Sequence, residues 1–188
     1  MKKLTMSLFL IMVLFGSAFA HDGAISLYTN IGITKCNATI VALQTDTIRV
    51  YYVRGSGPRL GPGVEFRMTI SDDMAFITGV EWSAGFNNSL GDIESGIALV
   101  GSACFSATDP VIYIGEVYIM LDYIVPAPTF TANIVDHPDA SPSAGIWVTA
   151  CITPGYPMVR VLGGTFVFNG SCNPGVEAKS WGAIKNLF

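Results

Sequence analysis

VEFRMTI, residues 64–70, is the stretch of this sequence that decides the fold class. Apolar side chains at positions 64, 66, 68 and 70 alternate with polar or charged ones at 65, 67 and 69. A period of two places the apolar set on one face of an extended strand and the polar set on the other. The pattern therefore predicts a half-buried β-strand, which is typical of a sheet that covers a core with one face.

The same signal recurs on both sides of this stretch. Further predicted strands cover residues 25–28, 47–54, 76–82, 96–100, 111–125, 129–135, 145–151 and 158–168. Residues 61–63, Gly-Pro-Gly, are predicted to break the chain as a loop or corner, and Gly115-Glu116 to form a bulge. About eight to ten short strands with no helix before the C-terminus predict one all-β domain, an antiparallel β-sandwich of immunoglobulin or cohesin type.

The N-terminus has the three parts of an export signal. Lys2 and Lys3 supply positive charge, residues 8–15 are uniformly apolar, and Ala18-Phe19-Ala20 provides the small residues that precede a cleavage site. A retained membrane anchor is the alternative, but the apolar run is shorter than the roughly 20 residues that span a bilayer. Residues 1–20 are therefore predicted to be a cleaved signal peptide, and His21 at the new terminus argues against a lipoprotein, which needs cysteine there.

The composition limits the kinds of partner. Removing Lys2 and Lys3 from the 10 basic residues leaves 8 against 14 acidic ones, a net charge near −6 on residues 21–188. A negative protein is a poor ligand for nucleic acid or for an anionic membrane. With 51% hydrophobic and 13% charged residues, the chain is expected to fold as one globular domain.

Four cysteines, Cys36, Cys104, Cys151 and Cys172, all follow the predicted signal peptide. An even number in an exported chain predicts two disulfides, and three pairings are possible. The pairing favoured from sequence is Cys151 with Cys172, since two adjacent strands could bring them together, which leaves Cys36 with Cys104. A zinc site is the weaker reading, because there is no C-x2-C spacing and only two histidines are present.

Residues 173–188 differ from the β-rich part at 21–172 and form a tail. Ser180 can cap a short helix in which apolar residues recur at helical spacing, with Lys185 near its carboxyl end. A helix of this length is marginal alone, so it is expected to dock on its own domain or on a partner. The apolar residues of this predicted helix are Trp181, Ile184, Leu187 and Phe188.

The end of the chain carries a longer pattern. Residues 163–173 (GGTFVFNGSCN), then Val176-Glu177, then residues 180–188 (SWGAIKNLF), resemble the ending of an uncharacterised group of secreted bacterial proteins. That group resembles this chain in having a signal peptide, one β domain with paired cysteines and the same short tail. The resemblance implies secretion, a disulfide framework and a shared purpose of the tail in folding or sorting. It implies no activity.

Catalytic chemistry has little support in the sequence. His21 would lie at a new terminus and His137 in the polar turn Asp136-His137-Pro138-Asp139, and Gly-x-Ser-x-Gly does not occur. No catalytic, cofactor-binding or metal site is therefore predicted.

Carboxylates leave two alternatives open. Paired acids could support a carbohydrate-active enzyme, and the same groups could bind calcium, with Asp72-Asp73 and Asp92-x-Glu94 as the best candidates. No Asp-x-Asp-x-Asp-Gly loop is present, and the sequence places no two acids at a catalytic separation. The acids considered for catalysis are Asp72, Asp73, Glu81, Asp92, Glu94 and Glu116.

A binding role is the leading hypothesis. Trp82, Phe86 and Tyr156 lie next to predicted loops, where sandwiches present ligands, although such aromatic residues can instead cap the core. We therefore expect a secreted or cell-envelope, non-enzymatic β-sandwich with a structural or a protein- or carbohydrate-binding role. A cohesin-like docking receptor is the sharper form of this hypothesis, with an extracellular or envelope protein or glycan as partner and no membrane span after cleavage.

Overall fold

A computed structural model describes residues 23–30, 32–55, 59–122, 128–152 and 155–172. The predicted signal peptide at 1–20 and the predicted tail helix at 180–188 lie outside these residues. The described part contains strands and turns and no helix. Its strands are β1 (Ala24–Tyr28), β2 (Asn37–Ala38), β3 (Thr45–Val53), β4 (Leu60–Ile70), β5 (Ala75–Trp82), β6 (Asn88–Asp92), β7 (Gly96–Val100), β8 (Val111–Leu121), β9 (Phe130–Val135), β10 (Trp147–Ala150), β11 (Met158–Arg160), β12 (Leu162–Gly163) and β13 (Thr165–Phe168).

The strands form two sheets, as the sequence predicted for a β-sandwich. One has the order β12-β1-β3-β8-β5, and the other has the order β11-β10-β4-β9-β13-β2, with β7 beside β4 and β6 beside β7. The pairs β1–β12 and β2–β13 are parallel and the other pairs are antiparallel. Strand β4 organises the larger sheet, because its first half pairs with β7 and β10 and its second half with β9.

The core lies between the sheets and uses the predicted alternation. Val64, Phe66 and Met68 of β4 are fully buried, which confirms the inward face of the VEFRMTI stretch. Strand β3 departs from simple alternation: Tyr51 lies on its outward face, between the inward residues Val50 and Tyr52, yet it is buried. Tyr28 and Ile33 pack on it in a small second cluster, so the loop after β1 covers this part of the outer face.

The predicted bulge lies in β8, one residue earlier than expected. Gly115 is opposite Val50 and Tyr113 is opposite Tyr51, so Ile114 is the additional residue. Burial changes phase at this point, since Ile112 and Ile114 face the core before it and Val117, Ile119 and Leu121 after it.

Residues 61–63 do not break the chain, contrary to the sequence prediction, but belong to β4. The neighbouring strand explains why the glycines are here: a Cβ on Gly61 would lie 2.6 Å from the Thr149 hydroxyl oxygen of β10. That hydroxyl accepts a hydrogen bond from the Gly63 amide at 2.7 Å. Glycine therefore permits close approach of two strands in this part of the sheet rather than a turn.

All four cysteines form disulfides, as predicted, but the favoured pairing was wrong. The bonds join Cys36 to Cys172 and Cys104 to Cys151. Strand β13 runs parallel to β2, and Val167 donates to the Cys36 carbonyl, which brings the chain after β13 back to Cys36.

The second disulfide is placed by the start of β4. The Cys151 amide donates to the Arg59 carbonyl at 2.7 Å, and the Arg59 side chain bonds the carbonyl of Phe105. Arg59 therefore bonds both the segment that carries Cys151 and the segment that carries Cys104, and this holds the two cysteines close together. This pairing depends on contacts between distant segments, about which strand periodicity carries no information.

Candidate binding surface

The outer face of strands β6, β7, β4, β10 and β11 is the candidate site, and we call it the groove face. Alternation on paired strands sets its side chains in two rows. The first row consists of Asn88, Val100, Gly63, Thr149 and Met158. The second row consists of Leu90, Ala98, Glu65, Trp147 and Arg160.

Large apolar side chains on and beside this face are exposed. Leu90 is 77% exposed, Val100 47% and Tyr156 41%. Leu90 and Val100 lie in neighbouring strands, and Tyr156 precedes β11 in a left-handed conformation with φ of 42°. Apolar groups concentrated on one face of a sheet are a feature of interaction sites.

A shallow groove of about 230 Å³ crosses the first row of the face. Gly63 lines it between Val100 of β7 and Thr149 of β10. The groove can therefore receive a side chain from outside. Its lining consists of Pro62, Gly63, Val64, Glu65, Ala98, Leu99, Val100, Thr149, Tyr156 and Met158.

The three aromatic residues predicted to form a binding surface do not lie together. Tyr156 lines the groove. Trp82 is half-buried, with its ring 6.2 Å from that of Phe66, and Phe86 is buried with its ring 4.9 Å from that of Phe105. Phe86 is a correction to the prediction: its amide bonds the Ser83 carbonyl in a turn, and the ring belongs to the core.

Sequence reasoning missed Leu90 and Val100. Leu90 could have been recognised more easily as an exposed apolar residue, because it is the one large apolar residue in the polar run Asn88–Asp92. Val100 ends a strand that was predicted correctly, but its outward direction depends on the pairing with Gly63.

Two of the acids considered for catalysis meet on the other sheet. Glu81 and Glu116 are opposite each other in β5 and β8. The Tyr118 hydroxyl lies 3.0 Å from a carboxylate oxygen of Glu81 and 3.5 Å from one of Glu116. Arg49 pairs with Glu116 at 2.9 Å. One phenol and one guanidinium therefore hold this pair of carboxylates.

The same network affects a neighbouring tyrosine. Burial, followed by the negative charge of Glu116 and a hydrogen bond to it, raises the pKa of Tyr113 to about 12. Both burial and a nearby carboxylate disfavour the tyrosinate anion.

Two of the other acids, Asp72 and Asp92, close local turns. The Asp72 carboxylate accepts from the Met74 amide at 2.8 Å. Asp92 accepts from the Ser95 hydroxyl and from the amides of Ser95 and Glu94. These bonds, with the Ser95 hydroxyl first, lower the pKa of Asp92. Asp92 therefore has a structural role in the β6–β7 turn.

The described residues contain no group of three or more His, Cys, Asp and Glu side chains arranged to hold a metal ion. His137 is also part of a turn: its Nδ1 accepts from the Asp139 amide at 3.1 Å, and its backbone pairs with Gly145. Across the described ranges, no helix is long and apolar enough to cross a membrane.

Comparison with known proteins identifies the fold. No protein-family model and no curated protein matches the chain. Among solved structures, the cohesin module of a Clostridium perfringens family 33 glycoside hydrolase is similar, with a TM-score of 0.56 and 7% identity over 81% of this chain and 100% of that one. The third ScaB cohesin of R. flavefaciens, solved in complex with a group 1 dockerin, gives a TM-score of 0.51 and 10% identity over 82% of this chain and 100% of that one. The chain therefore has a cohesin-like β-sandwich fold.

Proposed function

We propose that this domain is a non-catalytic binding module that takes a protein partner on the groove face. The exposure of Leu90, Val100 and Tyr156 on and beside the groove face is the observation that carries the proposal. Protein interfaces have apolar, aromatic-rich centres with polar margins, and Asn88, Glu65 and Arg160 supply polar groups around this patch. The dockerin bound to the R. flavefaciens neighbour is consistent with a protein rather than a glycan as partner.

The arrangement of the acids favours binding over hydrolysis. A glycoside hydrolase needs one carboxyl group that holds a proton and one that is ionised. Glu116 is paired with Arg49, and Tyr118 donates to Glu81, so side chains of the same sheet already contact both carboxylates. The groove lies on the other sheet, away from this pair.

We also propose that the domain is exported and works outside the cytoplasm. The signal-peptide pattern of residues 1–20 supports export, and two disulfides fit an oxidising compartment. The tail at 173–188, which resembles that of other secreted bacterial proteins, is the proposed folding or sorting element.

Charge on the groove face should abolish partner binding. Residues 21–188 carrying Leu90→Lys and Val100→Thr should lose crosslinked capture of an extracellular or envelope protein, because Lys places an ammonium among the exposed apolar side chains. The melting temperature should change little, since Leu90 is on an edge strand and nearly free of packing.

Leu43→Lys is the matched control. Leu43 is 65% exposed but follows β2 and bonds the end of β8, on the other sheet. This variant should capture the same protein as wild type. If the groove-face variant still captures that protein, or if wild type captures none, the proposed function is wrong.

A further inference from the structure

We propose that the groove over Gly63 is a socket for one tyrosine side chain of the partner protein. This inference rests on the proposed function and names the group that the groove face recognises. It follows from the shape of the groove, from its apolar walls and from Glu65, the one charged residue of its lining.

The shape of the socket fits a planar ring. Its volume is about 230 Å³, and Gly63 contributes backbone and no side chain to its lining. A Cβ at Gly63 would lie 2.9 Å from the Thr149 methyl carbon, so a side chain here would displace Thr149, which lines the groove. The walls include Val100, Tyr156 and Met158, which offer aliphatic, aromatic and thioether contacts to a ring.

The polar groups of the socket decide which ring it takes. The Thr149 hydroxyl is already used, since it accepts from the Gly63 amide at 2.7 Å and donates to the Gly63 carbonyl at 3.3 Å. Glu65 is the one charged residue of the lining, and its Oε2 accepts from the Ser141 amide at 3.0 Å. Its Oε1 receives no hydrogen bond from the residues that the structure describes.

The socket therefore presents apolar walls and one charged acceptor, and its complement is an apolar ring with one donor. A phenylalanine ring would remove water from the Glu65 carboxylate without replacing the lost hydrogen bond, whereas a tyrosine hydroxyl can donate to it. A lysine would satisfy the carboxylate but would set its ammonium against apolar walls. Tyrosine meets both requirements.

The experiment is an NMR titration of residues 21–188 with N-acetyl-L-tyrosinamide, N-acetyl-L-phenylalaninamide and N-acetyl-L-lysinamide. The tyrosine probe should shift the methyl signals of Val100 and Met158 in a saturable manner. It should bind about tenfold more tightly than the phenylalanine probe, which is the difference that one hydrogen bond to a charged group makes. Glu65→Gln should reduce this preference.

Three variants separate the socket from a general surface effect. Gly63→Ala should abolish the shifts, and Ala98→Leu should do the same by filling the groove from the other wall if Gly63→Ala disturbs folding. Gly79→Ala is the control, because Gly79 lies in β5 of the other sheet and an added Cβ meets Tyr118 at an ordinary 3.4 Å.

Equal affinity for the tyrosine and phenylalanine probes, tighter binding of lysine, or absence of saturable shifts would overturn the socket. The partner assay distinguishes this failure from failure of the proposed function. If Gly63→Ala and Ala98→Leu keep the partner while Leu90→Lys with Val100→Thr loses it, the face binds but the socket does not. If none of these variants weakens capture, the proposed function itself fails.

Discussion

At the scale of residues, the sequence indicated which aromatic residues lie near loops, but it did not indicate whether each side chain points to the surface or into the core. Tyr156 was selected because it lies next to a predicted loop, and it lines the groove. Phe86 was selected for the same reason, but the turn at Ser83 directs it into the core. Turn chemistry predicts where the chain bends, whereas burial depends on which sheet lies beneath the bend.

Tyr113 provides a test at this scale. Its pKa of about 12 lies above the value of 10.0 that the unfolded chain would have, so the native state retains the proton longer. Tyr113 therefore contributes stability that is complete below about pH 10 and is lost as the pH rises to about 12.

Urea midpoints at the two ends of this range should show the effect. Wild type should lose more stability between the two pH values than Tyr113→Phe does, and ultraviolet titration should show one tyrosine ionising late. A Tyr113→Phe midpoint that falls as steeply as that of wild type would contradict the assignment.

At the scale of elements, the alternation of apolar and polar residues predicted the strands. Local glycine and proline content gave a wrong prediction where two strands pair closely. Residues 61–63 were expected to be a loop because glycine and proline favour turns, but pairing with β10 makes them strand. The bulge in β8 was visible as a phase change between Ile114 and Val117. Local preference is weaker than pairing in a sheet interior.

The bulge gives the element-scale prediction. A Cβ at Gly115 would lie 2.5 Å from the Glu81 carbonyl oxygen and 2.6 Å from the Trp82 ring. Gly115→Ala should therefore force β5 and β8 apart and lower the free energy of unfolding by about 1–3 kcal/mol, measured by urea denaturation.

Gly79→Ala is again the comparison, since its added methyl group has room. It should leave stability unchanged or slightly raised, because alanine restricts the unfolded chain. Equal losses in the two variants would mean that the bulge does not require glycine.

At the scale of the whole molecule, disulfide pairing was beyond the reach of the sequence, because all three pairings fit the spacing. In the structure, Cys36 and Cys172 are 136 positions apart in the sequence, and Cys104 and Cys151 are 47 positions apart. The first disulfide therefore closes the longest loop that these four cysteines allow. In the chain-entropy account, the two bonds constrain the unfolded state by about 5 and about 4 kcal/mol respectively.

Serine replacement of each pair should follow this order. The Cys36→Ser, Cys172→Ser variant should lose at least as much free energy of unfolding as the Cys104→Ser, Cys151→Ser variant, as measured by denaturant titration. A non-reducing peptide map of the exported protein should show the two cross-links and an N-terminus at His21. A peptide joining Cys151 to Cys172 would refute the pairing.

The position of Cys172 also sets how the domain carries tension. Residues 173–188 follow this cysteine in the sequence, so a pull that reaches residue 172 enters at a covalent bond to Cys36 rather than at the hydrogen-bonded strand β13. Peeling β13 from β9 and β2 would require that bond to break first. If the tail is a tether, the oxidised protein should resist tearing from this end, and its reduced form should yield there first.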